Sequence, residues 1–298
     1  MVSIRGLARP QYLFRPSQIV RRLLQEFLPR ARGGEVRLPW GLRICIDRSD
    51  TVSRAILGQG MYDLVTTEVL WRLTGQGERT VDVGANIGYF TSLLAFRTGG
   101  AGEVFAFEPH PKTFPLLQHN VNHWNAQPGC GRMVAVQAAL SNEDGTAMLD
   151  PQDGDNSNAS EAYIRSTAGG AGIPVQTMRF HSRFGASGHF GVIKVDAEGH
   201  EAAIFEGMAE HLSSRRIRDI VYEENAGYPA ASHKVLESAG YALFAFEEHL
   251  NGLQVVSPRS VRPAKRGDDA PLNYLATSDP DRAWSLLSPK GWHSLRAH

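Results

Sequence analysis

The sequence predicts an α/β fold: a mostly parallel sheet with helices on both faces and an antiparallel edge near the C-terminus. Three observations carry this reading. Short apolar runs alternate with amphipathic segments between residues 80 and 225, the rhythm of strand–helix–strand units. The first run, in "TVDVGANIGYFTSLLAF" (80–96), ends in a glycine-spaced turn that opens directly into a helix. The last apolar runs, "YALFAF", "LQVVS" and "LNYLAT", follow one another without helices between them, as antiparallel edge strands do.

The N-terminal elements come first. Residues 1–32 carry seven arginines and one acid, Glu26. Within them, "SQIVRRLLQEFLP" puts Ile19, Leu23 and Phe27, then Val20, Leu24 and Leu28, on one helical stripe between Pro16 and Pro29. The spacing predicts a helix that packs on the main domain or on a second subunit, which leaves a homo-oligomer open. Its basic character also suits weak contact of residues 17–28 with an anionic membrane surface. The run "VRLPWGLRICI" (36–46) reads as a hairpin with Pro39 and Gly41 at its turn, and residues 61–74 read as a helix. Residues 1–60 are therefore expected to form a helical and hairpin extension that supplies substrate or dimer contacts. Residues 61–298 are expected to form the main domain.

The regular part follows. A strand at 81–83 leads to a helix from about Gly88 that stops at Gly99 and Gly100. "EVFAF" (103–107) leads to a helix for which Pro111 suits the first position. "MVAVQAAL" (133–140) runs into the turn "SNEDG" and a return segment. "FGVIKV" (190–195) leads to "GHEAAIFEGMAEHL", with Ile204, Phe205, Met208 and Leu212 on one stripe, and "DIVYEE" (219–224) precedes a short helix. The stretch 151–172, rich in Gly, Ser, Asn and Asp, breaks the rhythm and is expected to be a flap near the substrate.

Bulk properties narrow the function. The 298 residues balance 31 basic against 31 acidic side chains, so no global basic field points to nucleic acid. Cys45 and Cys130 are far apart, with neither a disulfide framework nor metal-type spacing. No apolar run approaches the roughly 18 residues of a membrane span, and the N-terminus lacks the apolar core of a secretory signal. A cytoplasmic protein is the expectation.

Gly84, Asn86 and Gly88 occupy the places of the three glycines of a dinucleotide-binding turn. The match fails at Asn86, where a diphosphate needs close approach to glycine backbone. A Walker loop fails as well, because no Gly-Lys-Ser/Thr follows. The turn therefore suits a ligand without phosphates. Glu108, at the end of the second strand, is placed to accept two hydrogen bonds from a ribose diol. Together the turn and the acid point to S-adenosylmethionine.

The motifs "VDVGANIGYFTSLLAF", "FEPHP", "AALSNEDG" and "VIKVDAEGHEAAIFEGM" resemble the successive signatures of FkbM-type methyltransferases, over about residues 58–225, and "LNYLAT" resembles that family's closing strand. The chain departs from the family at Arg179, which follows Thr177-Met178 where an acidic residue is usual. The resemblance implies a Rossmann-like class I methyltransferase fold with a seven-stranded sheet, S-adenosylmethionine as cofactor, and transfer to a hydroxyl of a sugar, glycolipid or natural product. It leaves methylation at nitrogen or carbon, and a non-catalytic cofactor-binding module, as alternatives. On this reading Asp82 lies below the methionine moiety, the backbone from Gly84 through Asn86 to Gly88 passes beside it, Glu108 holds the ribose, and Ala139 and Asn142 flank the adenine.

A hydroxyl acceptor needs a base or a metal. "DAEGHE" follows the fourth parallel strand, where such sheets collect ligands. His200 has a suitable ordinary pKa for a general base, although a helix N-terminus disfavours its charged form. Asp196 is the other candidate, or it orients the acceptor. Glu198 and Glu201 are candidates too, with a structural alternative, since acids favour the first turn of a helix. The lesser route is Mg²⁺ on Asp196 with Glu223 or Glu224. His110 and His119 are expected to be ordinary surface or helix residues, and Trp71 and Trp124 to serve packing. The small-molecule or glycan acceptor is expected to be chosen by residues 1–60, by 151–172 and by "SPRSVRPAKRGDDAP" near the C-terminus.

Overall fold

A computed structural model describes Pro10 and residues 33–47, 50–151, 162–165, 172–261 and 273–296. The helix expected within 17–28 lies outside the described residues. The hairpin of β1 (Gly33–Arg37) and β2 (Arg43–Asp47) is present, closed by Leu38 N–H on Leu42 O at 2.8 Å and by Gly41 at φ 95°. Its Val36, Ile44 and Ile46 are buried. The chain then forms α1 (Thr51–Gln59), which the sequence reading left without an assignment. Its ends carry ordinary signals: Asp50 accepts from Ser53 N–H at 2.8 Å, and Gly60 closes the helix in the left-handed region. Asp63 caps α2 (Leu64–Leu73).

The repeating part is β3 (Arg79–Val83), α3 (Tyr89–Thr98), β4 (Glu103–Phe107), α4 (Phe114–Asn125) and β5 (Arg132–Val136). Pro115 rather than Pro111 occupies the first turn of α4, because the chain passes the cavity at Pro109 and His110 and turns through 111–113 before the helix begins. "MVAVQAAL" divides after Val136, where Ala138 N–H bonds back to Val136 O at 3.0 Å, and its second half is β6 (Ala139–Leu140) in another sheet. β7 (Gly145–Pro151), β8 (Ala162–Arg165) and β9 (Ile173–Met178) complete that small sheet in the order β6-β9-β7-β8. Part of the expected flap is thus strand, and the rest of 152–171 lies outside the described residues. Then come α5 (Phe180–Phe184), β10 (Phe190–Val195), α6 (Glu201–Gly207), α7 (Ala209–Ser213), β11 (Ile217–Glu223), α8 (Ala231–Ser238), β12 (Ala242–His249), β13 (Gly252–Val256), β14 (Asn273–Thr277) and α9 (Pro280–Leu287). The long helix expected after β10 is two short ones broken at Met208.

The central sheet runs β13-β12-β14-β11-β10-β3-β4-β5. β5, β4, β3, β10 and β11 are mutually parallel, while β14 pairs antiparallel to both β11 and β12. The expected class I fold is present. The strand count is corrected from seven to eight, because β13 turns back on β12 and adds an edge strand. β10 is buried along its whole length, as expected of a strand covered on both faces. One core joins the hairpin, α1–α4 and α9 to one face of the sheet, and the other joins α5–α8 to the opposite face. Trp124 is buried in the first of these, with Nε1 donating to Arg43 O at 2.6 Å.

A buried ion pair ties down the C-terminal segment. Arg72 Nε donates to Glu68 Oε1 at 2.6 Å, and the guanidinium also reaches the carbonyls of Pro289 and Gly291. Glu68 in turn accepts from His293 N–H at 2.7 Å and Ser294 N–H at 2.8 Å. Two charges taken out of water are tolerable here because each is saturated with hydrogen bonds.

Candidate active site

The site forms where β3, β4 and β10 end. Gly84 has φ 69°, and a Cβ there would overlap the Asp196 carbonyl oxygen, so only glycine lets the two loops close on each other. Asn86 is also left-handed, at φ 50°, and its side chain accepts from Ile87 N–H at 2.6 Å. The Asn86 N–H donates to Glu108 Oε2 at 2.9 Å, and Gly88 N–H to Ala85 O at 2.8 Å. Three amides of the turn therefore already have protein acceptors. A diphosphate would find those donors engaged and would meet a carboxylate besides.

Glu108 is 7% exposed and accepts a second bond from His110 N–H at 2.8 Å. Burial pushes its pKa up to about 7, although both amides and Lys194 oppose the rise. Each oxygen keeps a lone pair for a further donor.

Lys194 was missed in the sequence. Its register partner on β3 is Asp82, and both project to the face covered by α3. The ammonium lies 3.5 Å from Asp82 Oδ1, 3.4 Å from Asp196 Oδ2 and 3.1 Å from Gly84 O. Burial works against its charge, but Asp196 and Asp82 outweigh this and raise its pKa. Asp82 is fully buried and accepts from Thr91 Oγ1 at 2.6 Å. The signal was present in "FGVIKVD": one cation in an otherwise apolar strand must meet anions when the strand is buried.

An open cavity of about 880 Å³ is lined by Gly84, Asn86, Glu108, Ala139, Asp196 and Glu198, all named from the sequence. Lys194 is the one lysine or arginine lining it among the described residues, and His110 lines it too, where an ordinary surface or helix position was expected. Leu149 of β7 and Ile164 of β8 add an apolar wall from the small sheet.

Four expected residues do not reach the lining. Asp82 lies beneath it, behind Lys194, and Gly88 packs against Leu117 and Trp124. Asn142 is exposed and donates to Glu206 Oε2 at 2.8 Å, because the chain turns outward at Ser141. His200 lies 3.0 Å from Ser141 Oγ through Nε2, and burial lowers its pKa. Neighbouring Glu201 holds the loop, with Oε1 accepting from Ala197 N–H at 3.2 Å and Gly199 N–H at 3.1 Å. Arg179, the departure from the family pattern, bonds Asp144 through its own N–H at 2.9 Å and through Nε at 3.1 Å. Among the described residues no group of three or more His, Cys, Asp or Glu is placed to hold a metal ion. Glu224 bonds Ser232 and Ala226, leaving Glu223 as the glutamate that shares a hollow with Asp196. No helix among the described residues is long and apolar enough to cross a membrane.

A mostly parallel sheet with two reversed strands on one side, and a cavity between the first turn and the second-strand acid, define the class I methyltransferase fold. The chain belongs to the methyltransferase FkbM domain family, whose model matches residues 82–243. Hexuronic acid methyltransferase AglP of Haloferax volcanii is 28% identical over 201 residues, 67% of this chain and 72% of that protein. The FkbM methyltransferase of Methylobacillus flagellatus superposes with a TM-score of 0.42 at 15% identity, over 67% of this chain but only 43% of that longer one. A Thermotoga maritima SAM-dependent O-methyltransferase gives 0.42 at 14% identity, over 85% and 80%.

Proposed function

We propose that this chain is an S-adenosylmethionine-dependent O-methyltransferase that acts on a hydroxyl of a sugar, glycolipid or natural product. The observation that carries the reading is Glu108: a carboxylate braced by two backbone amides, facing a cavity whose glycine turn keeps its own amides engaged. That donor set fits a nucleoside with a free ribose diol and no diphosphate. The family supports methyl transfer, and a relative named for hexuronic acid supports a sugar acceptor.

When bound, the donor supplies an electrophilic methyl group on a sulfonium. Glu108 accepts from the ribose hydroxyls, while Ala139 and Leu140 offer apolar surface to the base. Asp196 is the residue assigned to receive the acceptor's proton, and Lys194 fixes its carboxylate in place. The enclosing walls align the acceptor and limit water, and such positioning can supply several kcal/mol. His200 anchors the loop to Ser141 in this reading.

Calorimetry with S-adenosylhomocysteine tests the donor site, and transfer of labelled methyl to a panel of glycosides tests the acceptor class. A chain that binds neither donor nor demethylated product ends the proposal.

A further inference from the structure

Glu108 opens a loop, residues 108–113, whose backbone donors are all engaged within the chain. Glu108 N–H goes to Val136 O at 3.1 Å and His110 N–H to Glu108 Oε1 at 2.8 Å. Lys112 N–H goes to His110 Nδ1 at 3.2 Å and Thr113 N–H to His110 O at 3.1 Å. Pro109 and Pro111 have no N–H to offer. The neighbouring turn is engaged too: the amides of Ala85, Asn86, Ile87 and Gly88 bond Phe107 O, Glu108, the Asn86 side chain and Ala85 O. A ligand held by Glu108 therefore meets acceptors readily and backbone donors hardly at all.

The His110 side chain supplies what the backbone lacks. Its ring lines the cavity, and the residue is only 4% exposed. Nδ1 accepts the Lys112 amide and so carries no proton, which places the proton of the neutral ring on Nε2. Burial, and then the charge of Lys112, lower its pKa, so the ring is neutral at pH 8. Among the described residues no atom accepts the Nε2 proton. The ring is also fixed in place, because its residue is bonded through N–H, Nδ1 and the carbonyl, which accepts from Thr113 and Phe114. A buried donor held in this way is costly unless a ligand pairs with it.

We infer that His110 selects the base of the donor: its Nε2–H is directed at adenine N3, so that Glu108 and His110 together read the nucleoside across the bond joining sugar and base. The inference rests on the donor reading of the cavity. The ribose hydroxyls give their protons to Glu108, whereas N3 has no proton and needs a donor. N3 lies on the edge of the base nearest the ribose, and His110 stands two residues from the carboxylate that holds the ribose, with its own amide on that carboxylate.

The test is calorimetry at pH 8 with S-adenosylhomocysteine and with S-(3-deazaadenosyl)homocysteine, in which a C–H replaces N3. The unaltered chain is expected to bind the first about tenfold more tightly, for a lost hydrogen bond and a donor left unpaired. His110→Asn retains an acceptor for Lys112 N–H where Nδ1 stood but has no donor that reaches the place of Nε2. It is expected to bring the ratio below about twofold, with a melting temperature within about 2 °C of the unaltered chain. His110→Gln retains a donor near the place of Nε2 and is expected to keep a ratio above about threefold. Equal binding of the two compounds by the unaltered chain, a preference that survives His110→Asn, or a ratio as low with His110→Gln as with His110→Asn would overturn the inference. Failure of the unaltered chain to bind either compound would instead overturn the donor reading, so the two failures are distinguishable.

Discussion

Lys194 and Asp82 face each other across two paired parallel strands, with the ammonium 3.5 Å from Oδ1 and both side chains almost wholly buried. Lys194→Met leaves Asp82 and Asp196 without their shared counter-charge. A loss of about 3–5 kcal/mol is expected, as for other broken buried pairs. Urea unfolding checks it, and adding Asp82→Asn should recover part of the loss. A loss under about 0.5 kcal/mol, the range of ordinary surface changes, would mean the pair is not buried as described.

The pH dependence of donor binding follows from Glu108. Its pKa in the fold, about 7, lies above the ordinary value of 4.5, so the proton is bound more tightly in the folded chain. Its contribution to stability is therefore fully present below the ordinary value and is lost as pH rises from there through 7. Ribose recognition needs the ionised form, so affinity moves the other way. S-adenosylhomocysteine should bind roughly tenfold more tightly at pH 8 than at pH 6. Glu108→Gln should flatten that profile and weaken binding by about 1.5–3 kcal/mol, the worth of a charged hydrogen bond.

Asp196 and His200 separate the two base assignments. Asp196→Asn is expected to lower kcat by about 10²–10⁴, the range for a lost general base, with donor affinity little changed. His200→Asn should cost less than about tenfold and leave the pH–rate profile in place, because its ring is turned to Ser141. The opposite ranking would return the proton to the histidine.

The Glu68–Arg72 pair predicts a purely structural effect. Glu68→Ala strips Arg72 of its partner and leaves two backbone amides unbonded. A destabilisation of about 3–5 kcal/mol is expected. Limited proteolysis should then cut near residues 289–296 while the rest of the chain stays protected.

The strand–helix rhythm was legible because buried parallel strands read as continuous apolar runs, and the antiparallel edge because its strands lack intervening helices. The residues around Gly84, Glu108 and Asp196 were legible for a related reason: glycine, a terminal acid and a loop after a strand have local meanings. What stayed hidden depended on long-range register. Lys194 meets Asp82 only because β10 lies beside β3. Asp63 reaches Asp196 from an element far away in sequence, and β7 and β8 bring Leu149 and Ile164 to the cavity through a second sheet that stands outside the strand–helix rhythm. His200 and Asn142 misled because a motif locates a loop without saying which way each side chain turns.

The fit between Gly84 and the carbonyl of Asp196 leaves no slack. The turn proposed to cradle the donor and the loop proposed to bear the proton acceptor meet there with no room for a side chain between them, so a substitution at Gly84 should disturb both together. Any widening to admit a bulkier alcohol has to come from the opposite wall, where α2 and β14 begin. Changes of acceptor preference should therefore accumulate on that side and leave the donor side untouched.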